Sequence, residues 1–179
     1  RRTSLYPPGQ PGAEAFRAAI ERLLGLYHRN INEAQLNHLD THDTPRFLTS
    51  AREGVLPVAF GLAVTLPGIP VVWAGDEFGL TASDGEESRT PIPWDRVPES
   101  QETIGVYRRL IALRRAHPAL NGGGIRWLLA ADDAAAFVRE SAEECVLVVA
   151  ARAITVLDLG AELPDEAPLV AAEADGDVA

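Results

Sequence analysis

Residues 54–75 are 22 consecutive uncharged positions. By length alone such a stretch could cross a bilayer. Pro57, Pro67 and Pro70, with Gly61 and Gly68, interrupt it too often for a spanning helix. Burial inside a soluble fold is the remaining solution. The pattern predicts a helix over about Gly54–Leu66, a turn at Pro67-Gly68-Ile69-Pro70, and a strand at Val71-Val72-Trp73-Ala74. An unbroken apolar run of this kind is expected of a strand covered on both faces. No membrane is needed, and a soluble chain, with the cytoplasm favoured, is the expectation.

The flanks repeat the alternation. Over 13–29, Phe16, Ala19, Ile20, Leu23, Leu24 and Tyr27 recur at helical spacing, with Glu14, Arg17, Glu21 and Arg22 on the other face. Gln35–Leu39 reads as a short strand running into a polar cluster. A polar loop spans Gly75–Glu99. Ser100 is expected to cap a helix running to about Ala116, with Ile104, Tyr107, Leu110 and Ile111 inward and Arg108, Arg109, Arg114 and Arg115 outward or at its negative end. Helix, strand, helix, strand, helix implies parallel strands joined by crossover helices, an α/β fold.

The character changes at Asn121-Gly122-Gly123-Gly124. Short apolar runs follow at Ile125–Ala130, Ala136–Arg139, Cys145–Ala150 and Ile154–Leu159, spaced as in a small antiparallel β unit. The division is therefore 1–120 and 121–179. The net charge of −10 is concentrated late, since residues 141–179 carry nine acids and one Arg. An acidic balance argues against nucleic acid or an anionic membrane as partner. The single Cys145 excludes an internal disulfide.

The densest polar cluster is His38-Leu39-Asp40-Thr41-His42-Asp43-Thr44-Pro45-Arg46, at the C-terminal end of the first strand, where parallel α/β proteins build sites. His38, Asp40 and His42 share one side of a two-residue period. A divalent metal on His38, Asp40, His42 and Asp43 is one reading; a turn at Asp43-Thr44-Pro45 beside a core histidine is the structural one. Gly75-Asp76-Glu77-Phe78-Gly79 follows the second strand, with Asp76 33 residues after Asp43. Acids at neighbouring strand ends suit glycoside hydrolysis. Asp76-Glu77 suits equally a structural pair holding Arg46 or Arg89.

Thr41-His42-Asp43-Thr44-Pro45-Arg46 resembles the motif ending the seventh barrel strand of the α-amylase family of retaining glycoside hydrolases. Pro67 to Gly79 resembles that family's eighth strand. Ser88-Arg89-Thr90-Pro91-Ile92-Pro93-Trp94-Asp95 resembles the next loop in its neopullulanase, cyclomaltodextrinase and α-glucosidase branches, and Tyr107–Leu120 is similar to the last barrel helix. The resemblance covers about residues 12–120. It implies the C-terminal part of a (β/α)8 TIM barrel followed by a small antiparallel β-sandwich domain.

The same resemblance implies roles. Asp43 becomes the carboxylate that grips sugar hydroxyls and stabilises the transition state, with His42 and Arg89 as substrate-binding residues. The substrate is an α-glucan or maltooligosaccharide. Trp73 is open between sugar platform and core, and Trp94 is expected to plug its loop. His28, His38 and His117 are expected to be structural. The family's nucleophile and acid Glu have no counterpart in the 41 residues before His42, so the chain resembles a C-terminal fragment, inactive without the N-terminal part of the barrel. No cofactor is implied; calcium, which many relatives bind through earlier segments, is not supported by this one.

Overall fold

A computed structural model describes residues 12–131 and 134–151. The uncharged stretch forms helix α3, Val55–Thr65. Its buried residues Leu56, Phe60, Ala63 and Val64 pack on Val106, Tyr107 and Leu110 of α4, Gln101–Ala116. The Phe60 and Tyr107 rings meet with centroids 4.4 Å apart. No helix among the described residues is long and apolar enough to cross a membrane. Phe60 is fully buried, so Phe60→Ala is expected to destabilise the chain by about 3–5 kcal/mol in urea denaturation, through lost transfer energy and an unfilled cavity.

Ahead of α3 come α1, Ala13–Leu26, and the single turn α2, Arg29–Asn32. Two short parallel strands, β1 (Leu36–Asn37) and β2 (Ile69–Pro70), flank α3 and pair Leu36 with Ile69 and Asn37 with Pro70. Asn37 Nδ2 ties the crossover down by donating to Pro67 O at 3.0 Å and Ala63 O at 3.3 Å.

Several expectations need correction here. The strand expected over Gln35–Leu39 is only two residues long, and the second lies at Ile69–Pro70 rather than Val71–Ala74. Val71, Val72 and Trp73 are half-buried, not covered on both faces. The cause is a sheet of two strands, whose Leu36 and Ile69 stand 59% and 47% exposed. Helix α1 stops at Leu26 and buries no residue fully; Leu23 and Tyr27, expected inward, are exposed. Ser100 does stand before α4, but its hydroxyl donates to Phe78 O instead of capping.

After α5, Pro118–Gly122, the chain forms an antiparallel sheet in the order β3 (Gly124–Ala131), β4 (Ala134–Glu140), β5 (Cys145–Ala151). The expected fourth run, Ile154–Leu159, and the acidic tail lie outside the described residues. His117, expected to be structural, pairs through Nδ1 with Glu144 at 3.0 Å.

Two arginines join the sheet to the helices. Arg114, expected outward or at the negative end of its helix, is buried in the last turn of α4 and donates to Gly68 O at 2.6 Å and to Val64 O and Leu66 O. Arg139 of β4 donates to Thr65 O, to Gly123 O at 2.8 Å and to Gly124 O at 3.1 Å. Both therefore cap the carbonyls left free at the end of α3, where the helix dipole favours a cation. Burial, with Arg114 nearby, brings Arg139 down to about 10. Arg139→Ala leaves three carbonyls unpaired and should cost about 3 kcal/mol or more by urea denaturation.

Candidate functional site at the strand ends

Beyond Asn37 the chain turns sharply. Thr41 and Thr44 close the turn on each other: Thr41 N donates to Thr44 Oγ1 at 2.9 Å, and Thr44 N donates to Thr41 O at 3.2 Å. Asp43 N donates to Thr41 Oγ1. This threonine pair, three apart around Asp43, is a turn signal that the sequence displays.

The turn presents His42 and Asp43 outward. The Asp43 carboxylate lies 3.2 Å from His42 Nε2 and 3.2 Å from Arg89 Nη2, and its side chain is 69% exposed. Arg89 Nε also donates to His42 O. Arg89 arrives on a loop whose Gly85 lies flat on the turn. A Cβ there would stand 2.7 Å from His42 O and 3.0 Å from Asp43 Cα, so a side chain at 85 would push the loop away. His42 also leans on Trp73, with ring centroids 5.8 Å apart, and Trp73 Nε1 donates to Ser88 O at 3.4 Å. Trp73 is thus half-buried beside the cluster rather than in the core.

Beneath the turn lies Arg46, 1% exposed. Its Nη1 donates to Asp76 Oδ1 at 2.7 Å, and its Nη2 donates to Ala74 O at 2.8 Å and Ser88 O at 2.7 Å. One guanidinium therefore binds both strand-end segments and the loop that delivers Arg89. Gly75 permits this approach. It has φ +107°, and a Cβ would stand 2.8 Å from Arg46 Nη2. Asp40, also buried, accepts Phe47 N at 2.6 Å. The structural reading of Asp76-Glu77 holds: Asp76 carries Arg46, and Glu77 accepts Gly75 N at 2.8 Å.

Burial is the main cause that raises the Asp76 carboxyl from 3.8 to about 7, and the neighbouring Asp40 carboxyl adds to this against the pull of Arg46. The folded state thus holds a proton that the unfolded chain releases near 3.8. Stability from that proton is complete below about pH 4 and is lost progressively as pH rises to about 7. Asp76→Asn keeps the shape without the charge. In urea denaturation at fixed pH, the variant is expected to gain stability relative to the native chain between pH 4 and 8.

The two-residue period through His38, Asp40 and His42 fails because the strand ends at Asn37. Asp40 turns inward while His38, His42 and Asp43 are exposed. Among the described residues no three His, Cys, Asp or Glu side chains group as a metal ion requires. Trp94 is not a plug. It is 73% exposed and meets Phe78 edge-on with centroids 5.8 Å apart, because its turn, Trp94–Arg96, stands at the surface.

No family model matches the chain. It is, however, 32% identical over 141 residues to a cyclomaltodextrinase of Geobacillus thermopakistaniensis, across 76% of this chain and 24% of that protein. Neopullulanase 2 of Thermoactinomyces vulgaris is 32% identical over 123 residues, 68% of this chain and 21% of that one. The chain belongs to the α-amylase family. A solved family structure, the cyclic α-maltosyl-(1→6)-maltose hydrolase of Arthrobacter globiformis in complex with that compound, superposes with a TM-score of 0.74 at 29% identity. The match takes in 80% of this chain and 33% of that one. The chain spans about a quarter of the length of the curated family members it matches.

Proposed function

We propose that this chain is part of a retaining glycoside hydrolase that cleaves α-1,4 or α-1,6 glucosidic bonds in α-glucans or maltooligosaccharides. Residues 1–120 would supply the C-terminal part of its (β/α)8 barrel and 121–179 a C-terminal β domain. The observation that carries the reading is Asp43: an outward carboxylate at a strand end, held between His42 and Arg89 in a member of the α-amylase family.

Such a carboxylate accepts hydrogen bonds from sugar hydroxyls, and His42 and Arg89 can donate to the same ring. These bonds speed cleavage only to the extent that they tighten as positive charge builds on the sugar. The retaining mechanism needs two further carboxyls, one to protonate the leaving oxygen and one to attack. Asp76 is committed to the buried arginine, and Asp40 and Glu77 to backbone amides. Nucleophile and acid therefore come from elsewhere in the barrel. The open edges of β1 and β2 and the exposed Leu36 and Ile69 support a missing barrel portion as partner.

The test compares the 179-residue chain with the polypeptide completed by the rest of the barrel, using maltooligosaccharides and measuring reducing ends. The completed protein is expected to hydrolyse them and the chain alone to release none. Hydrolysis by the chain alone overturns the proposal. Binding without hydrolysis by the completed protein favours a non-catalytic carbohydrate-binding relative instead.

A further inference from the structure

Trp94 is left over from the site built around Asp43, and it is largely exposed. Single apolar side chains at a surface are ordinary, so exposure alone says little. Its placement says more. Among the described residues, the other large exposed apolar side chains lie in or beside α1 and α2, on β1 and β2, and on β5. Trp94 stands apart from these, on the loop that delivers Arg89 to Asp43.

The ring is held where it stands. Phe78 meets it at an interplanar angle of 90°. Trp94 N donates to Ile92 O at 3.0 Å and Arg96 N to Pro93 O at 2.9 Å, which closes the turn that carries the indole. Pro91 and Pro93 fix the backbone just before it. Both supports trace to one buried side chain. Arg46 Nη2 holds Ser88 O, ahead of Arg89 in the loop, and Arg46 Nη1 holds Asp76, the first residue of the turn Asp76–Phe78. The indole is thus preorganised, and little conformational freedom is left to lose when a ligand lies on it.

We propose that Trp94 is an outer sugar platform, on which an α-glucan chain engaged at Asp43 continues along the loop. The inference deepens the reading of Asp43 as a sugar-facing carboxylate and rests on it. The chemistry fits a glucose unit. One side of a pyranose ring presents C–H bonds, apolar and weakly positive, and the indole face is apolar and negative. The hydroxyls lie around the sugar's edge, where the exposed Asp95 and Arg96, next in the chain, offer an acceptor and donors. A flat apolar ring beside a carboxylate and a guanidinium suits an amphipathic sugar better than the core of a protein interface, which is depleted in charge. The reach fits as well. Trp94 comes five residues after Arg89, so their Cα atoms are at most about 18 Å apart. A maltooligosaccharide of several units covers that span; maltose falls short of it.

The experiment titrates the full 179-residue chain, labelled with 15N, with maltose and separately with maltoheptaose. NMR follows the Trp94 indole Nε1–H and the Arg89 Nε–H. Maltoheptaose is expected to shift both signals with one common midpoint. Trp94→Ala should weaken maltoheptaose about tenfold, read at Arg89, and leave maltose binding there unchanged. Trp94→Phe keeps a smaller apolar face and should recover part of the loss. An Arg89 signal that responds to maltoheptaose while Trp94 stays fixed overturns the platform and leaves the glycosidase reading standing. A Trp94 signal that responds while Arg89 stays fixed overturns the continuity of the chain between them, and counts against Asp43 as well. A Trp94 signal that moves with protein concentration and not with sugar assigns the ring to a contact between copies of the chain, and this too overturns the proposal.

Discussion

Replacing Arg46 with alanine is expected to destabilise the chain by about 3–5 kcal/mol, the usual effect of stripping one partner from a buried charged cluster. Three consequences add in one direction. Asp76 loses its counter-charge, the carbonyls of Ala74 and Ser88 lose their donor, and a fully buried side chain leaves a cavity. The loss should deepen from pH 5 to pH 8, because without the guanidinium the buried Asp76 carboxyl is harder still to ionise in place. Arg46→Lys should recover only part of the stability, since one ammonium cannot span two carbonyls and a carboxylate as the guanidinium fork does. Urea denaturation at the two pH values checks both. A change within about 0.5 kcal/mol, the ordinary range of a surface substitution, would contradict the hub assigned to Arg46.

Asp43→Asn is expected to leave stability nearly unchanged and to remove most of the activity of the completed hydrolase. The side chain is 69% exposed, and its partners His42 and Arg89 are themselves about half exposed, so little folding energy rests on their pairs. Activity is another matter. An amide cannot accept sugar hydroxyls with full negative charge, and it turns a donor toward Arg89. Losing one charge-complementary group of this kind lowers kcat by about 10²–10³. The split matters: a fall in kcat with KM nearly kept marks an interaction that tightens in the transition state, whereas a rise in KM alone marks plain binding. Urea denaturation beside steady-state kinetics on a maltooligosaccharide reads both halves.

Much of this arrangement was legible in the residues, and the failures share a cause. The uncharged stretch announced α3 because no other solution tolerates its prolines and glycines. The β unit showed through its runs because β3, β4 and β5 pair with one another inside the described chain. The two parallel strands were misjudged in length and burial. Their apolar sequences are written for neighbours on both sides, and here each has one. Helix α1 misled in the same way: Leu23 and Tyr27 keep a helical spacing but stand about half exposed among the described residues.

At the site, the turn at Asp43-Thr44-Pro45 and the polar loop over Gly75–Glu99 were legible in the residues, whereas the pairing of Arg89 with Asp43 was suggested only by the family resemblance. That Asp76 serves Arg46 was one of two readings the sequence left open. The inward turn of Asp40 was not visible, because the alternation through His38 and His42 suggested a strand continuing past Asn37. For Arg114 the sequence left open an outward position or one at its own helix's negative end; the carbonyls at the end of α3 drew it inward. Such arginines answer to backbone ends that come together only on folding.

Asp43 as a sugar-facing carboxylate is tested most directly by titrating the labelled chain with a maltooligosaccharide and following the Asp43 carboxyl, the His42 ring and the Arg89 Nε–H. Saturable shifts at those three groups, absent in Asp43→Asn, are the result expected. Signals there that stay fixed at sugar concentrations well into the millimolar range, or shifts confined to remote residues such as Trp94, would contradict it.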